Sequence, residues 1–414
     1  MSDAVKWYCH VAISEISAVM TAKIGRGFKF ACFTLEGMGS FATAFYFYYL
    51  YFFMRKEFGF SGKDNLAFAA FIGLVYVFSS WQAGRFGQRR GYFNALKLGF
   101  SVMIVALTIG SQLNSAAGLV LDTALLTFGM CFLWPTIEAL VSGGEDAVGL
   151  PRMVGTYNVV WAGTNALALF SGGTLVEKFG FKTIFFLPLA IFIVELALTL
   201  WLEKHTADLA RADGHAPASA AAPDPHRPSP AKTRAFLRMA WLANPFAYLA
   251  INTFIPLLPT LASGFYLSPM FAGFACSLWG FARLGTFIAL WAWTDWHYRF
   301  RWLVTAFATL IVSFAVILIV PNLAVLLLAQ IFFGAAIGLI YYSSLFYSMD
   351  ASEAKGEHGG IHEAAIGVGN CIGPAVGAAS LQWMPQYANS GAIAVSALLL
   401  LGLGALVGIW KTAW

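Results

Sequence analysis

Pro223-Asp224-Pro225-His226-Arg227-Pro228-Ser229-Pro230 lies near the middle of this chain of 414 residues. The octapeptide belongs to a stretch from Lys204 to Arg238 that is rich in Ala, Pro and charged residues. Such a stretch cannot cross a bilayer, because charges and unpaired backbone groups are unfavourable in hydrocarbon. Apolar segments fill the chain on both sides of it. The sequence therefore predicts two membrane-embedded halves joined by a flexible polar linker.

The composition excludes a water-soluble globular protein. Hydrophobic residues make up 59% of the chain and charged residues 11%, and the mean hydropathy is +0.71, so the polar surface is too small to cover a soluble fold. Uncharged runs of roughly 20 residues are long enough to cross the membrane as helices. Such runs are predicted at 28–52, 65–83, 92–112, 116–141, 154–176, 181–202, 240–262, 268–292, 302–320, 323–348, 361–383 and 390–410.

These runs predict an all-α membrane protein with 12 transmembrane helices in two six-helix bundles. The predicted domains are a cytoplasmic or interfacial segment at 1–27, an N-terminal bundle at 28–203, a cytoplasmic flexible linker at 204–238 and a C-terminal bundle at 239–414. The first segment lacks an apolar core followed by a small-residue cleavage site. No cleavable signal peptide is therefore expected.

Basic residues indicate the orientation, because Lys and Arg beside the spans are retained on the cytoplasmic side. If the N-terminus is inside, the outer side receives only Arg55, Lys56, Lys63, Lys178 and Lys182, and the inner side receives all the other bases outside the spans. Both termini and the linker are therefore expected in the cytoplasm, in a multi-pass protein of the cell inner (plasma) membrane. This topology accounts for the net charge of +5, so no nucleic-acid partner is expected.

The sequence contains no pattern typical of an enzyme, a metal site or a cofactor site. The five cysteines are dispersed without a C-x-x-C pair, and the chain has no phosphate-cradling loop with Lys and no H-E-x-x-H. We therefore expect no catalytic residue, no metal and no cofactor.

The two halves carry traces of a duplication. Shifting the chain by 205 residues aligns glycine or polar residues of spans 4 and 5 with residues of spans 10 and 11. The aligned pairs are Gly129 with Gly334, Asn158 with Glu363, Asn165 with Asn370, and Gly172 with Gly377. The Asn and Glu positions weigh most, because polar residues are uncommon in lipid-buried helices. A repeat of half the chain length is typical of a duplicated bundle.

The loop between spans 2 and 3 reads Gly84-Arg85-Phe86-Gly87-Gln88-Arg89-Arg90. It resembles the cytoplasmic loop signature of the major facilitator superfamily, G-x-x-x-D-R-x-G-R-[RK], although Gly84 replaces the usual Asp and Gln88 the usual Arg. The resemblance implies the major facilitator fold and alternating access between two bundles. In the family this loop latches the bundles through charge pairs.

The loss of the acidic member puts that latch in question here. Arg85 or Arg89 could pair instead with Glu138 at the inner end of span 4. The copy of the loop after span 8 is reduced to a segment that keeps Asp295 and Arg299. The candidate cytoplasmic gate therefore consists of these five residues.

Span 11 contains Gly367-Val368-Gly369-Asn370-Cys371-Ile372-Gly373-Pro374. The segment resembles the G-x-x-x-G-P element that antiporters of the superfamily carry on span 5. Because span 5 of this chain has no Pro, we do not infer an antiporter. Small residues allow helix backbones to approach closely, so the pattern is interpreted as close helix packing.

Two ionisable residues fall deep inside predicted spans. Glu36 shares one face of span 1 with Ser40 and Thr43, and that face should point to the bundle interior or to a water-filled cavity. Arg283 lies near the middle of span 8 and needs a carboxylate, a carbonyl, water or an anionic cargo as its partner. Each residue has two open interpretations, which are solute or proton handling and a structural ion pair. Asp122, Glu36 and Glu363 are candidate partners of Arg283.

Spans 5 and 11 carry matching polar stripes, which are Asn158, Trp161 and Asn165 on span 5 and Glu363, Gly367 and Asn370 on span 11. The match predicts symmetrical faces that meet across the interface of the two bundles. The resemblance adds residues of spans 7 and 10 that would border a central cavity. The candidate substrate or coupling residues are Glu36, Asp122, Asn158, Trp161, Asn165, Asn252, Arg283, Tyr341, Tyr342, Glu363 and Asn370. Tyrosine rings offer both apolar surface and a hydroxyl group, which suits an amphipathic solute.

The sequence therefore predicts a monomeric secondary active transporter of a small organic solute that uses H+ as its coupling ion. The alternative from another class is a non-transporting membrane receptor, scaffold or assembly factor that retains the carrier fold. The altered loop signatures favour this alternative, and the ionisable residues in both bundles favour transport.

Overall fold

The computed structural model describes residues 26–143, 145, 149–212, 229–351 and 355–413. Within these residues the chain forms helices and connecting turns, with no strand. The helices α1 to α14 are, in order, Arg26–Phe58, Gly62–Arg90, Tyr92–Gly110, Ala116–Met130, Trp134–Ser142, Gly149–Phe179, Thr183–Ala212, Pro230–Gly264, Pro269–Cys276, Leu278–Ala292, Phe300–Ile319, Leu323–Ala351, Lys355–Trp383 and Ser390–Ala413. Segment 1–25, which covers nearly all of the predicted interfacial segment, lies outside the described residues.

The described part of the chain contains 11 helical stretches that are long and apolar enough to cross a membrane. Two of them combine neighbouring helices, α4 with α5 and α9 with α10. Helix α1 has 33 residues but is not among the 11. Its sequence is less apolar, because it contains Lys29, Glu36 and several Gly, Ser, Thr and Tyr residues.

Every predicted apolar run lies on one or two of these helices, with two interruptions. Helix α4 ends at Met130 and α5 starts at Trp134. Pro135 sits in the first turn of α5, where its missing N–H cannot continue the helical hydrogen bonds of α4. The second interruption lies at Ser277, between α9 and α10.

Two helices extend into the stretch that the sequence assigns to the linker. Helix α7 continues to Ala212 and α8 begins at Pro230. The start of α8 is stabilised by Ser229, whose Oγ accepts a hydrogen bond from the Lys232 N–H at 3.4 Å, and by proline at the first helical position. Residues 213–228 of the linker lie outside the described part of the chain.

The two halves of the chain, α1–α7 and α8–α14, pack against each other mainly through three helix pairs. Helix α2 lies along α13, and α6 lies along α9 and α10. Gly73 of α2 is so close to the backbone of Asn370 that an added Cβ would collide with it. Gly173 of α6 stands in the same relation to the Pro269 carbonyl of α9. Glycine at these points permits helices of opposite halves to touch through their backbones.

Span 11 also packs closely against a helix of its own half, as the Gly367 to Pro374 pattern predicts. A Cβ on Gly369 would collide with the Pro245 carbonyl of α8, and a Cβ on Gly373 with the Leu249 carbonyl. The small residues of α13 therefore serve close packing on two sides.

A buried lysine connects the first turn of α1 to the end of α5. Lys29 Nζ donates hydrogen bonds to the carbonyl oxygens of Val141 at 2.5 Å and Gly143 at 2.8 Å. It also forms an ion pair with Glu145 Oε1 at 3.0 Å. These carbonyls end a helix and have no intrahelical donors, so the ammonium group stabilises them as a C-terminal cap.

Replacing Lys29 by Met is expected to lower the free energy of unfolding by about 1.5–3 kcal/mol, because charged hydrogen bonds to buried acceptors are lost. Thermal unfolding of the purified protein measures the change. The matched control is Lys97→Met, which breaks the exposed ion pair with Glu203 at 2.7 Å and should cost about 0–1 kcal/mol. Equal shifts for both variants would contradict the proposed capping role of Lys29.

Candidate functional site

A cavity of about 190 Å³ lies between the two halves. We call it the central cavity. Residues of α1, α2, α4, α5 and α6 line one side, and residues of α8, α10, α12 and α13 line the other. The residues that the sequence predicted for the site and that line this cavity are Trp161, Asn165, Asn252, Arg283, Tyr341, Glu363 and Asn370.

Arg283 is the basic group of the central cavity, and it is 2% exposed. Its NH2 donates a hydrogen bond to Asn165 Oδ1 at 3.3 Å, whereas its Nε is buried without a partner. The guanidinium carbon lies 4.2 Å from the ring centroid of Trp161 and 5.0 Å from that of Trp279. Cation–π contacts of this kind stabilise a desolvated guanidinium in part, but they do not neutralise its charge.

No carboxylate pairs with Arg283 within 4.0 Å among the described residues, where the two ion pairs are Lys29 with Glu145 and Lys97 with Glu203. The structure therefore does not pair Arg283 with Glu36, Asp122 or Glu363, the three candidate partners.

Two repeat-related asparagines hold equivalent polar pairs. Asn165 of α6 accepts a hydrogen bond from the Tyr48 hydroxyl of α1. Asn370 of α13 accepts one from Asn252 Nδ2 of α8 at 2.6 Å. Both pairs line the central cavity, so the duplicated halves place an amide group at corresponding positions on its two sides.

The two polar stripes face the opposite half but do not pack on each other. The stripe on α6 contacts α10 through Asn165 and Arg283, and the stripe on α13 contacts α2. Glu363 Oε2 accepts a hydrogen bond from the Tyr76 hydroxyl of α2 at 2.5 Å. An amide and a carboxylate thus bridge the halves at the walls of the central cavity.

Aromatic rings form much of the apolar lining. Trp161 stacks on Tyr341 with ring centroids 4.9 Å apart, and Tyr248 lies 6.1 Å from Tyr341. Tyr342, which the sequence placed beside Tyr341, packs instead against Phe287 at 5.8 Å and does not line the cavity. Tyr341 and Tyr342 are consecutive on α12 and point about 100° apart, and of the two it is Tyr341 that faces the cavity.

Three other predicted polar residues lie outside the lining of the central cavity. Glu36 is 0% exposed; its Oε1 accepts a hydrogen bond from Ser40 Oγ at 2.7 Å, and its Oε2 has no partner. Asp122 packs against Gly110 of α3 and leaves Oδ2 without a partner. Asn158 is fully buried, and both of its amide atoms are unpaired.

Glu195 of α7 is a buried carboxyl group that the sequence reasoning missed. It is 0% exposed, and neither oxygen has a hydrogen-bond partner. A Cβ on Gly39 of α1 would lie 3.1 Å from Glu195 Oε1, so the carboxyl group sits one turn from Glu36 on the neighbouring helix. A glutamate in the apolar run 181–202 was the available signal.

The candidate gate residues are not joined by ion pairs within 4.0 Å in the described part of the chain. The Arg85 guanidinium lies over the ring of Trp81, 4.6 Å from its centroid. Arg89, Asp295 and Arg299 are exposed, and Glu138 is partly buried. The alternative pairing of Arg85 or Arg89 with Glu138 is therefore not present in this structure.

Comparison with known proteins identifies the family. The family model described as Major Facilitator Superfamily matches residues 30–378. No curated protein sequence matches the chain significantly. Among solved structures, the nucleoside transporter NupG is similar at 14% identity with a TM-score of 0.62, covering 93% of this chain and 99% of that one. An Asp-to-Ala mutant of NupG is similar with a TM-score of 0.63, 14% identity and coverage of 92% and 99%.

Proposed function

Because the chain belongs to the Major Facilitator Superfamily, we propose that it is a secondary active transporter that moves a small organic solute by alternating access. The observation that carries this proposal is the central cavity, whose polar lining residues come from both halves of the chain. A site shared by two lobes changes shape when the lobes rock against each other, which is how such carriers expose it to each side in turn.

We propose that α1 is a twelfth transmembrane span and that 28–203 and 239–414 form two six-helix bundles. Helix α1 supplies Thr43, Phe47, Tyr48 and Tyr51 to the central cavity. A helix that lines a polar cavity faces lipid with little of its surface, so it can be less apolar than its neighbours. The basic residues favour a protein of the inner membrane with both termini in the cytoplasm.

Contacts at the predicted outer ends of the helices would open and close during transport. Lys63 Nζ donates to Gln382 Oε1 at 2.7 Å, and Asn65 Nδ2 donates to the Pro256 carbonyl at 3.2 Å. Both bonds join the two halves. Two further bonds of this kind run from Arg55 to Thr260 Oγ1 at 3.3 Å and from the Met270 N–H to Glu177 Oε1 at 2.8 Å. Each is a single hydrogen bond, so an outward-facing state can break them at modest cost.

Proton coupling is part of the proposal. Glu36, Glu195 and Glu363 are buried at 0%, 0% and 7% exposure, and no cation lies within 4.0 Å of them among the described residues. An ionised carboxylate in such surroundings is unfavourable. Carboxyl groups that bind a proton when buried and release it to water can exchange protons as the cavity opens to each side of the membrane in turn.

The likeness to a nucleoside transporter adds one candidate class of solute. At 14% identity it supports only the fold, but aromatic rings and amide groups around the central cavity would also suit a nucleobase. Uridine is therefore one of the first solutes to test.

The proposed function is tested with proteoliposomes containing the purified protein. The radiolabelled probes are uridine, which is neutral, and benzenesulfonate, which is a small organic anion. An inward proton gradient should drive accumulation, and an uncoupler should abolish it. Flux that is unaffected by collapse of every ion gradient would leave a facilitator and reject the coupling. If no flux occurs and only a protein partner raises the melting temperature, the non-transporting alternative is favoured.

A further inference from the structure

We propose that the central cavity binds a monovalent organic anion, whose carboxylate or sulfonate pairs with Arg283 and whose flat apolar body lies among the aromatic rings. This inference rests on the proposed transport function and specifies its cargo. It differs from the nucleoside class, because nucleosides carry no charge at neutral pH.

The positive charge of Arg283 is not compensated by a carboxylate among the described residues. The side chain is 2% exposed and has no carboxylate within 4.0 Å among the described residues. A guanidinium group does not lose its proton in proteins. An unpaired cation at this depth is costly, so an anion that enters the cavity gains a strong interaction.

The existing partners of Arg283 leave hydrogen-bond donors of the guanidinium available. Asn165 Oδ1 accepts from Arg283 at 3.3 Å, a long contact, and it already accepts from the Tyr48 hydroxyl. The Nε group of Arg283 has no partner. Cation–π contacts with Trp161 and Trp279 do not occupy the N–H groups. A carboxylate can therefore take two parallel hydrogen bonds from the guanidinium.

The charged residues of the cavity lining limit the charge of the solute. Arg283 is the basic residue, and Glu363 the acidic residue, among the described residues that line the central cavity. Glu363 already accepts a hydrogen bond from Tyr76. A second negative charge on the solute would find no further cation and would be repelled by Glu363 when ionised. Transport of a monovalent anion with one proton moves no net charge.

The volume and the aromatic lining of the cavity favour a small, flat solute. The volume of about 190 Å³ is below the ~300–1,000 Å³ typical of sites for drug-sized ligands. Trp161 and Tyr341, whose rings stack 4.9 Å apart, line the cavity beside Arg283 and supply apolar surface to a small ring. Small aromatic acids combine the required charge, size and flat shape.

The experiment measures binding to the purified full-length protein by thermal shift and by titration. The probes are benzoate, phenylacetate, nicotinate and benzenesulfonate, each acid being compared with its uncharged amide. Uridine and adenosine are included. The acids are expected to raise the melting temperature, and the amides should bind ~10- to 100-fold more weakly because they lack the charged acceptor.

Variants of Arg283 provide the second readout. Arg283→Gln should reduce binding of the acids ~10- to 100-fold and leave binding of the amides unchanged, whereas Arg283→Lys should retain part of the binding. The matched control is Arg301→Gln, because Arg301 also lies over an indole, Trp302 at 5.5 Å, but outside the central cavity. Its binding should equal that of the wild type.

The inference and the proposed function fail in different ways. Acids that bind through Arg283 but are not transported would reject transport and retain the anion site. Uridine or amides that bind as tightly as acids, with no effect of Arg283→Gln, would overturn the anion site and leave transport intact. Failure of every acid to bind would likewise overturn it. Arg283→Gln is expected to remain folded, because it removes a buried unpaired charge, and Arg283→Lys tests the site independently.

Discussion

Replacing Glu195 or Glu36 by Gln is expected to abolish proton-driven accumulation of solute while sparing exchange of solute across the membrane. Both carboxyl groups are 0% exposed, and three of their four oxygens have no hydrogen-bond partner. An ionised pair in this position would suffer desolvation and mutual repulsion. Gln imitates the protonated, neutral form, so each variant should fold but should no longer take up and release a proton.

The expected effect on accumulation is large. A gradient of one pH unit corresponds to about 1.4 kcal/mol per coupled proton, or about tenfold accumulation. Loss of coupling should reduce this ratio to about one. Proteoliposomes with an imposed pH gradient measure accumulation, and counterflow without a gradient measures exchange.

The matched control is Glu203→Gln on the same helix. Glu203 lies at the exposed end of α7 and pairs with Lys97, so its replacement should leave the accumulation ratio unchanged. Full accumulation by Glu195→Gln would remove Glu195 from the coupling mechanism. Loss of both accumulation and exchange would indicate a structural role.

The sequence predicts which helix faces carry the polar groups, but not the depth at which the central cavity lies. Glu36 and Thr43 are seven residues apart on α1, which is nearly two full turns, and so they share one face. Thr43 lines the cavity whereas Glu36 does not. The distance along the helix, about 10 Å, decides the difference. Which turn of α1 reaches the cavity depends on the depth at which the two halves diverge, and that depth is a property of the packed structure.

The partners of buried charges could not be predicted either. The sequence predicts Arg283 as a deeply buried base, and the side chain is 2% exposed, but among the described residues it pairs with none of Glu36, Asp122 and Glu363. Hydrogen-bond partners depend on which helices are neighbours and on how each is rotated. Glu195 was not predicted for a related reason, because span 6 carries none of the repeat-related polar residues and is not one of the spans that the resemblance places at the cavity.

The helices themselves followed more directly from the sequence. Long uncharged runs predict spans because the bilayer thickness fixes their length. The helix ends are predicted less accurately, because α7 runs to Ala212 and α8 starts at Pro230, and both residues lie within the predicted linker at 204–238. Ala, Arg and Lys favour the helical conformation, even in a segment that is too charged to enter lipid. Hydropathy therefore locates the membrane-embedded part of a helix but not its end.

Replacing Gly73 by Leu is expected to stop transport by holding the two halves apart. A Cβ at this position would collide with the Asn370 carbonyl group and the Cys371 nitrogen of α13. Backbone atoms of a helix cannot move aside alone, so α2 and α13 must separate at the level of the central cavity. Overpacking of this kind typically costs about 1–3 kcal/mol, and a carrier that cannot close around its solute should lose flux by more than ~100-fold.

Cys371 makes the separation measurable. It lies beside Asn370 on α13 and is partly exposed, whereas Cys32, Cys131 and Cys276 are buried. In a Cys9→Ser background, Gly73→Leu should accelerate maleimide labelling of Cys371 and abolish solute flux. Gly285→Leu on α10 is the matched control, because no atom lies within 4 Å of the Cβ that it adds. Wild-type flux in Gly73→Leu would show that contact between α2 and α13 is not required for transport. Lost flux with an unchanged rate of Cys371 labelling would place the defect within one half rather than between the halves.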